Sequence, residues 1–194
     1  MGHLEAIYLL YGYLKAHDRS TMVFDDEYVN WNDNDFSTED WSDFYRDARE
    51  KFPCNAPKPR GMLVQVNAFV YASHARNKHA KCSHTGIIIY LNKSPIIRYS
   101  KAQQTVETSM FSSKFIALKT GTKLIKSLRY KIMIMGVPLD RLANVLADSN
   151  SIFKNCTIPA STLQKKHNSI CYHYAQEVVA VKCIRIAFVP SSEN

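Results

Sequence analysis

Apolar side chains recur along this chain with two different periods, and the switches between them mark out most of its elements. Leu4, Ile7, Leu10 or Tyr11, and Leu14 fall at helical spacing, which predicts a helix over residues 3–16. A short strand is expected in "RSTMVFD" (19–25). From residue 63 the period drops to two: Val64, Val66, Ala68 and Val70 alternate in "LVQVNAFVYA" (63–72), the pattern of a strand with one buried face. "SHTGIIIYLNKSPIIRYS" (83–100) holds two β-rich runs joined at Asn92-Lys93-Ser94-Pro95, and reads as a hairpin. Phe115, Leu118, Leu124 or Ile125, Leu128 and Ile132 restore the helical period and predict a long helix over 111–134. A short apolar run, "ANVLAD" (143–148), a helix start at 149–155, a helix over 161–182 and a last strand, "CIRIAFV" (183–189), complete the pattern.

The order is β-β-β-α-β-α-α-β. Three antiparallel strands followed by strands reached through helices imply an α/β domain with a mixed five-stranded sheet flanked by helices. Ahead of it, residues 25–62 are acidic and Asn-rich and then Pro-rich, with Pro53, Pro57 and Pro59 excluding a helix. Trp31, Trp41, Phe44 and Tyr45 are expected to fold this stretch against something. There is no internal repeat and no glycine-rich phosphate loop.

Charge sharpens the picture. Ten acids lie between Asp25 and Glu50, against Arg46 and Arg49. From residue 51 onward only Glu107, Asp140, Asp148, Glu177 and Glu193 remain. All of the 25 Lys and Arg except Lys15, Arg19, Arg46 and Arg49 lie in that same span. A body this basic suggests a polyanion such as nucleic acid, with plain solubility charge as the competing explanation. Five cysteines without a C-x-x-C pair argue against a disulfide framework or a zinc site. Cys171 and His173, with His167 nearby, read as core plus surface before they read as metal ligands. No apolar run reaches the ~18 residues of a membrane span, and "MGHLEAIYLLYGYLK" lacks a signal-peptide pattern. The expectation is an intracellular protein, cytoplasmic or nuclear, with no membrane partner and no small-molecule cofactor.

One local feature is odd. In "MFSSKFIALK" (110–119) the first turn of the long helix carries Lys114, where the helix dipole favours a carboxylate.

The words themselves then become informative. "SHTGIIIYLNKSPIIRYSKAQQTVETSMFSSKFIALKT", "LRYKIMIMGVPLD" and "IPASTLQKKHNSICYHYAQEVV" resemble the ribonuclease H domain of copia-type retrotransposon polyproteins. "GHLEAIYLLYGYLKAHDRSTMVFDD" is similar to the helix and strand that end the reverse transcriptase and lead into that domain. The resemblance implies a ribonuclease H-like fold divided as 1–26 (reverse-transcriptase remnant), 27–62 (connection) and 63–194 (ribonuclease H-like domain, cut short at its C-terminus). It also implies a nuclease that cuts RNA in RNA–DNA hybrids with two magnesium ions about 4 Å apart, held by four carboxylates.

Carried over position by position, that resemblance places the first-strand carboxylate at Tyr71, in Phe69-Val70-Tyr71-Ala72. It places the helix glutamate at Lys114, in Ser112-Ser113-Lys114-Phe115, which accounts for the oddity above. The third carboxylate survives as Asp148, in "NVLADSN". The fourth belongs to a Leu-Ala-Asp run beyond "FVPSSEN", and the sequence ends at Asn194 before it. Arg98 stands where the family has Trp, and Ser73 replaces a second acid. One carboxylate of four, Asp148, is insufficient alone for two metals, so the expectation is a degenerate fragment without nuclease activity and without a bound cofactor. The alternative is an active metal-dependent ribonuclease H that borrows carboxylates such as Glu107 or the acids of 25–50. A third reading is a non-catalytic binder of RNA–DNA hybrid or other nucleic acid. It would use Arg76, Lys78, His79, Lys81, Arg98, Lys101, Lys165, Lys166 and His167.

Overall fold

The structure, a computed structural model, describes residues 3–19, 21, 23–36, 39–46, 48–74, 82–107, 109–161 and 169–190. Five strands form one sheet in the order β3-β2-β1-β4-β5. They are β1 (Val66–Ser73), β2 (His84–Leu91), β3 (Ser94–Ala102), β4 (Ala143–Ala147) and β5 (Ile184–Phe188). The first three run antiparallel, while β4 is parallel to β1 and β5 is parallel to β4. The helices are α1 (His3–Ala16), α2 (Met110–Ile134), α3 (Asn150–Thr157) and α4 (Ser169–Ala180). This is the mixed sheet expected from the sequence, in the expected order.

Local chemistry fixes the element ends. The β2–β3 turn is closed by Asn92 in the left-handed conformation (φ 55°), which Asn tolerates better than other side chains. Ser109 caps α2: its Oγ accepts from Ser112 N–H at 3.3 Å, satisfying one of the orphan donors of the first turn. At the other end α2 stops at Gly136, with φ 71°.

The alternating residues of β1 sort cleanly. Val66, Ala68, Val70 and Ala72 are buried under α2, together with Ile87 and Ile89 of β2 and Phe115, Leu118 and Ile125 of the helix. Gly121 lets α2 come this close: a Cβ there would lie 2.9 Å from Val70 Cγ2. The first turn of α2 is thereby held at one fixed end of the sheet.

The other face of the sheet is covered in part by residues 25–36, the first part of an acidic strap whose far end, at Glu50, lies on the α2 side. Asp25 exchanges hydrogen bonds with Ser94: its N–H donates to Oγ (2.7 Å) and its carbonyl accepts from the same hydroxyl (2.8 Å). Asn92 Nδ2 donates to Asp26 O (2.7 Å), and Trp31 Nε1 donates to Asn67 Oδ1 (2.8 Å). Phe36 bridges Ala187 of β5 and lies under the Arg185 guanidinium, 4.0 Å from ring centroid to Cζ. Phe36 and Trp41 are buried, whereas Phe44 remains 60% exposed and does not share in the packing expected of it. Beyond them Glu50 reaches Arg129 of α2 with two hydrogen bonds, 2.8 Å to Nε and 2.6 Å to Nη2.

Two expectations need correction. No strand forms at residues 21 and 23–25, the described part of the strand expected over 19–25; at Asp25 the backbone N–H and C=O both bond the Ser94 hydroxyl instead of a neighbouring strand. The last helix, expected over 161–182, is described over Ser169–Ala180: Ser161 is not helical, and residues 162–168 fall outside the described residues. Helix α1 has the expected span, but Leu4, Tyr8, Leu9, Tyr11 and Tyr13 are all more than 60% exposed.

Candidate functional site

Parallel pairing of β1 with β4 puts Val70 beside Ala147, so the next positions, Tyr71 within β1 and Asp148 just past the end of β4, lie at the same end of the sheet. The first turn of α2 arrives there from the buried face. Lys114 Nζ lies 2.9 Å from Asp148 Oδ2 and donates a second hydrogen bond to Asp148 O at 3.2 Å. Both side chains are largely withdrawn from water, with 14% of Lys114 and 4% of Asp148 exposed. The structure therefore brings together two of the three residues singled out at this site, and joins them as a desolvated ion pair. The third, Tyr71, points to the other face of the sheet and is 47% exposed.

Behind Lys114 is a polar network that the sequence pattern gave no reason to expect. Ser113 Oγ lies 3.0 Å from His74 Nδ1 and 2.9 Å from Ser83 Oγ. Gln103 Nε2 donates to Ser113 O (2.8 Å) and to Thr85 Oγ1 (3.0 Å). Ser83 and Ser113 are fully buried, so this network braces the first turn of α2 and offers no accessible nucleophile. Its members come from the position after β1, the segment before β2, β2 itself, the segment after β3 and α2, and only proximity in the fold unites them.

Magnesium demands several oxygen ligands in near-octahedral array. Here one carboxylate is at hand and an ammonium already occupies one of its oxygens. Among the described residues no three His, Cys, Asp or Glu side chains converge on a point. The described residues at this site do not fit a pair of divalent cations. Five of the carboxylates available for borrowing are engaged elsewhere. Glu27 and Asp25 pair with Lys93, Asp33 with Arg185, and Glu50 with Arg129, while Glu107 accepts from Thr105 Oγ1 at 2.8 Å. The Arg185 hydrogen bond and charge hold the Asp33 carboxyl below its usual value.

Of the basic residues proposed to contact nucleic acid, Arg76, Lys78, His79, Lys81, Lys165, Lys166 and His167 lie outside the described residues. Arg98 and Lys101 are both exposed on β3, and being three apart they point to opposite faces of the strand. Among the described residues no helix is long and apolar enough to cross a membrane.

Comparison with known proteins agrees with this architecture. No family model matches the chain. The chain is similar to the retrovirus-related Pol polyprotein from transposon RE1 of Arabidopsis thaliana. The two are 23% identical over 135 residues, which is 70% of this chain and 9% of that much longer protein. Among solved structures it resembles the N-terminal ribonuclease H domain of a Mycobacterium tuberculosis protein (TM-score 0.50, 14% identity, 68% of this chain and 86% of that one). It also resembles LC11-RNase H1, solved in complex with an RNA/DNA hybrid (TM-score 0.50, 11% identity, 66% and 87%). The fold is ribonuclease H-like, and the resemblance to a transposon Pol polyprotein read from the sequence stands.

Proposed function

We propose that this Pol-related, ribonuclease H-like domain has lost metal-dependent cleavage and retains the capacity to hold a nucleic-acid duplex, with an RNA–DNA hybrid as the preferred form. The ion pair between Lys114 and Asp148 carries the first half of the reading. Two-metal cleavage needs carboxylates converging on cations that activate water and stabilise the leaving oxygen. An ammonium on the surviving carboxylate repels such cations and occupies the oxygen they would use. The second half is supported by the basic balance of the chain beyond residue 51, and by the hybrid bound to LC11-RNase H1. Backbone contacts need only Lys, Arg and polar donors, so they are independent of the metals.

Hydrolysis of a labelled RNA–DNA hybrid, in magnesium and then manganese, tests the first half, with Asp148→Asn as control. No cleavage is expected. Cleavage that the control abolishes overturns the reading and means that unrecognised carboxylates complete the site. Retention of the same hybrid across a salt series tests the second: affinity should fall linearly with log salt. Weak, salt-insensitive retention rules duplex binding out.

A further inference from the structure

The acidic strap leaves half of its sheet face open. It buries Leu146 and Ala187 on β4 and β5 and closes over Asn67 at the start of β1. Past that point the described residues leave side chains on the same face of β1, β2 and β3 exposed. In register across these strands lie Tyr71, Gly86 and Ser100 in one row, and Phe69, Ile88 and Arg98 in the next. Tyr71 is 47%, Ile88 36% and Ile96 44% exposed, and Arg98 is exposed beside them. Phe69 packs edge-on against Tyr90, with ring centroids 5.9 Å apart. Clusters of exposed apolar and aromatic side chains of this kind mark docking surfaces.

We infer that this open face is a stacking platform for single-stranded nucleic acid. Three observations select that occupant. First, the floor is flat and vacant where it matters: Gly86 stands directly opposite Tyr71, and a Cβ built on it meets nothing within 4 Å. Successive rows on one face lie about 6.8 Å apart along the strands, so the Gly86–Ser100 row leaves an open step beside the Tyr71 ring before the Ile88–Arg98 row. Second, none of β1, β2 or β3 contains an Asp or Glu, while β3 contributes Arg98 to this face. A polyanion meets no repulsion from these strands. Third, a duplex hides the faces of its bases, whereas a single strand can splay them onto aromatic and guanidinium planes. The two departures noted in the sequence, Tyr71 for a carboxylate and Arg98 for a tryptophan, thus fall on one surface.

The inference extends the nucleic-acid reading above and rests on it, but it concerns a different strand state and a different face. The test is fluorescence anisotropy of a short fluorescein-labelled oligouridylate, run in parallel with the hybrid duplex. Tyr71→Ala should weaken the single strand by about tenfold, the equivalent of one lost base stack. Gly86→Val should do the same by filling the open step, and since its new side chain enters open space, thermal melting should be unchanged or improved. Arg98→Gln should lower the salt slope by about one, while Lys101→Gln, on the other face of β3, should leave Tyr71-dependent binding intact. Duplex affinity should not respond to Gly86→Val. Oligouridylate binding that is absent, or unchanged in both Tyr71→Ala and folded Gly86→Val, overturns the platform while leaving duplex binding to stand or fall on its own data. A protein whose Gly86→Val variant loses only self-association in sedimentation also overturns it, since the face is then a protein contact.

Discussion

Replacing Lys114 by glutamate is the sharpest test of the ion pair, because it reverses one charge at a site where 14% and 4% of the two side chains are exposed. At about 4 Å and an effective dielectric near 20, two unit charges interact by about 4 kcal/mol, so exchanging attraction for repulsion sets an upper bound of roughly 8 kcal/mol. The folded state escapes most of this by taking up a proton on one carboxyl, as paired carboxylates do. Breaking a buried pair costs about 3–5 kcal/mol, and Lys114→Glu should fall in that range at neutral pH. The sign with pH follows from the raised carboxyl. Its folded-state pKa lies above the unfolded value, so stability is greatest in acid and declines as pH rises through the folded value.

Urea denaturation of the wild type, Lys114→Glu and Lys114→Met, at pH 5 and pH 7 with EDTA or magnesium, separates the contributions. Lys114→Met removes the ammonium that pairs with the buried Asp148 carboxylate and should lose about 3 kcal/mol with no response to magnesium. Lys114→Glu should lose at least as much at pH 7, recover part of it at pH 5, and recover part with magnesium. Cation at a hundredfold excess over its dissociation constant returns about 2.7 kcal/mol. The wild type should ignore the metal. If Lys114→Glu is as stable as wild type at pH 7 and equally indifferent to magnesium, Lys114 does not sit on Asp148 and the reasoning fails.

Other elements give independent checks. Glu50→Gln removes the charge that holds Arg129, which is 97% buried. It should cost about 3–5 kcal/mol, and Glu50→Gln with Arg129→Met should cost less than the single change, as read by denaturant midpoints. Gly121→Ala puts a methyl 2.9 Å from Val70 Cγ2, so a loss of about 1–3 kcal/mol is expected, eased by Val70→Ala in a double-mutant cycle. Burial, with the nearby Glu50 charge, pushes the Cys183 thiol up to about 12, and burial also raises Cys156. Alkylation followed by mass spectrometry should modify exposed Cys54 at neutral pH while sparing both until the chain unfolds. Asp33 and Asp40 have lowered carboxyl pKa values, from hydrogen bonds and charge at Arg185 and hydrogen bonds from Ser42 respectively. Their contribution is therefore present above the usual carboxylate value of 3.8 and disappears as pH falls through the lowered folded values, readable as a change in strap Trp fluorescence.

The sheet was legible because its signals are local. Val66, Ala68 and Val70 alternate, Asn92 supplies the hairpin turn, and Phe115, Leu118 and Ile125 repeat at helical spacing, so each element is specified by near neighbours. The strap was not. Its contacts join Asp25 to Ser94, Trp31 to Asn67 and Glu50 to Arg129 across long sequence separations, through side-chain hydrogen bonds that have no period to detect. At the site, residue identities at Lys114, Tyr71 and Asp148 were readable from the resemblance, but their relation was not. That two of them pair while the third turns to the opposite face depends on how α2, β1 and β4 meet.

That geometry gives a physical reason for the fold to be stable without relying on a metal at this end of the sheet. A cluster of carboxylates at a sheet end is self-repelling unless cations neutralise it, so each added acid makes the folded state more dependent on metal. Lys114 supplies the neutralising charge covalently, from a helix turn already fixed by the Ser109 cap and the Ser113 network. Asp148 keeps a partner in a site where leaving it unpaired would be costly, and nothing needs to be recruited from solution. Tyr71, released from any such cluster, is free to face outward on the open half of the sheet. On the reading proposed above, Lys114 thus stabilises one end of the sheet while Tyr71 presents an aromatic ring on the opposite face.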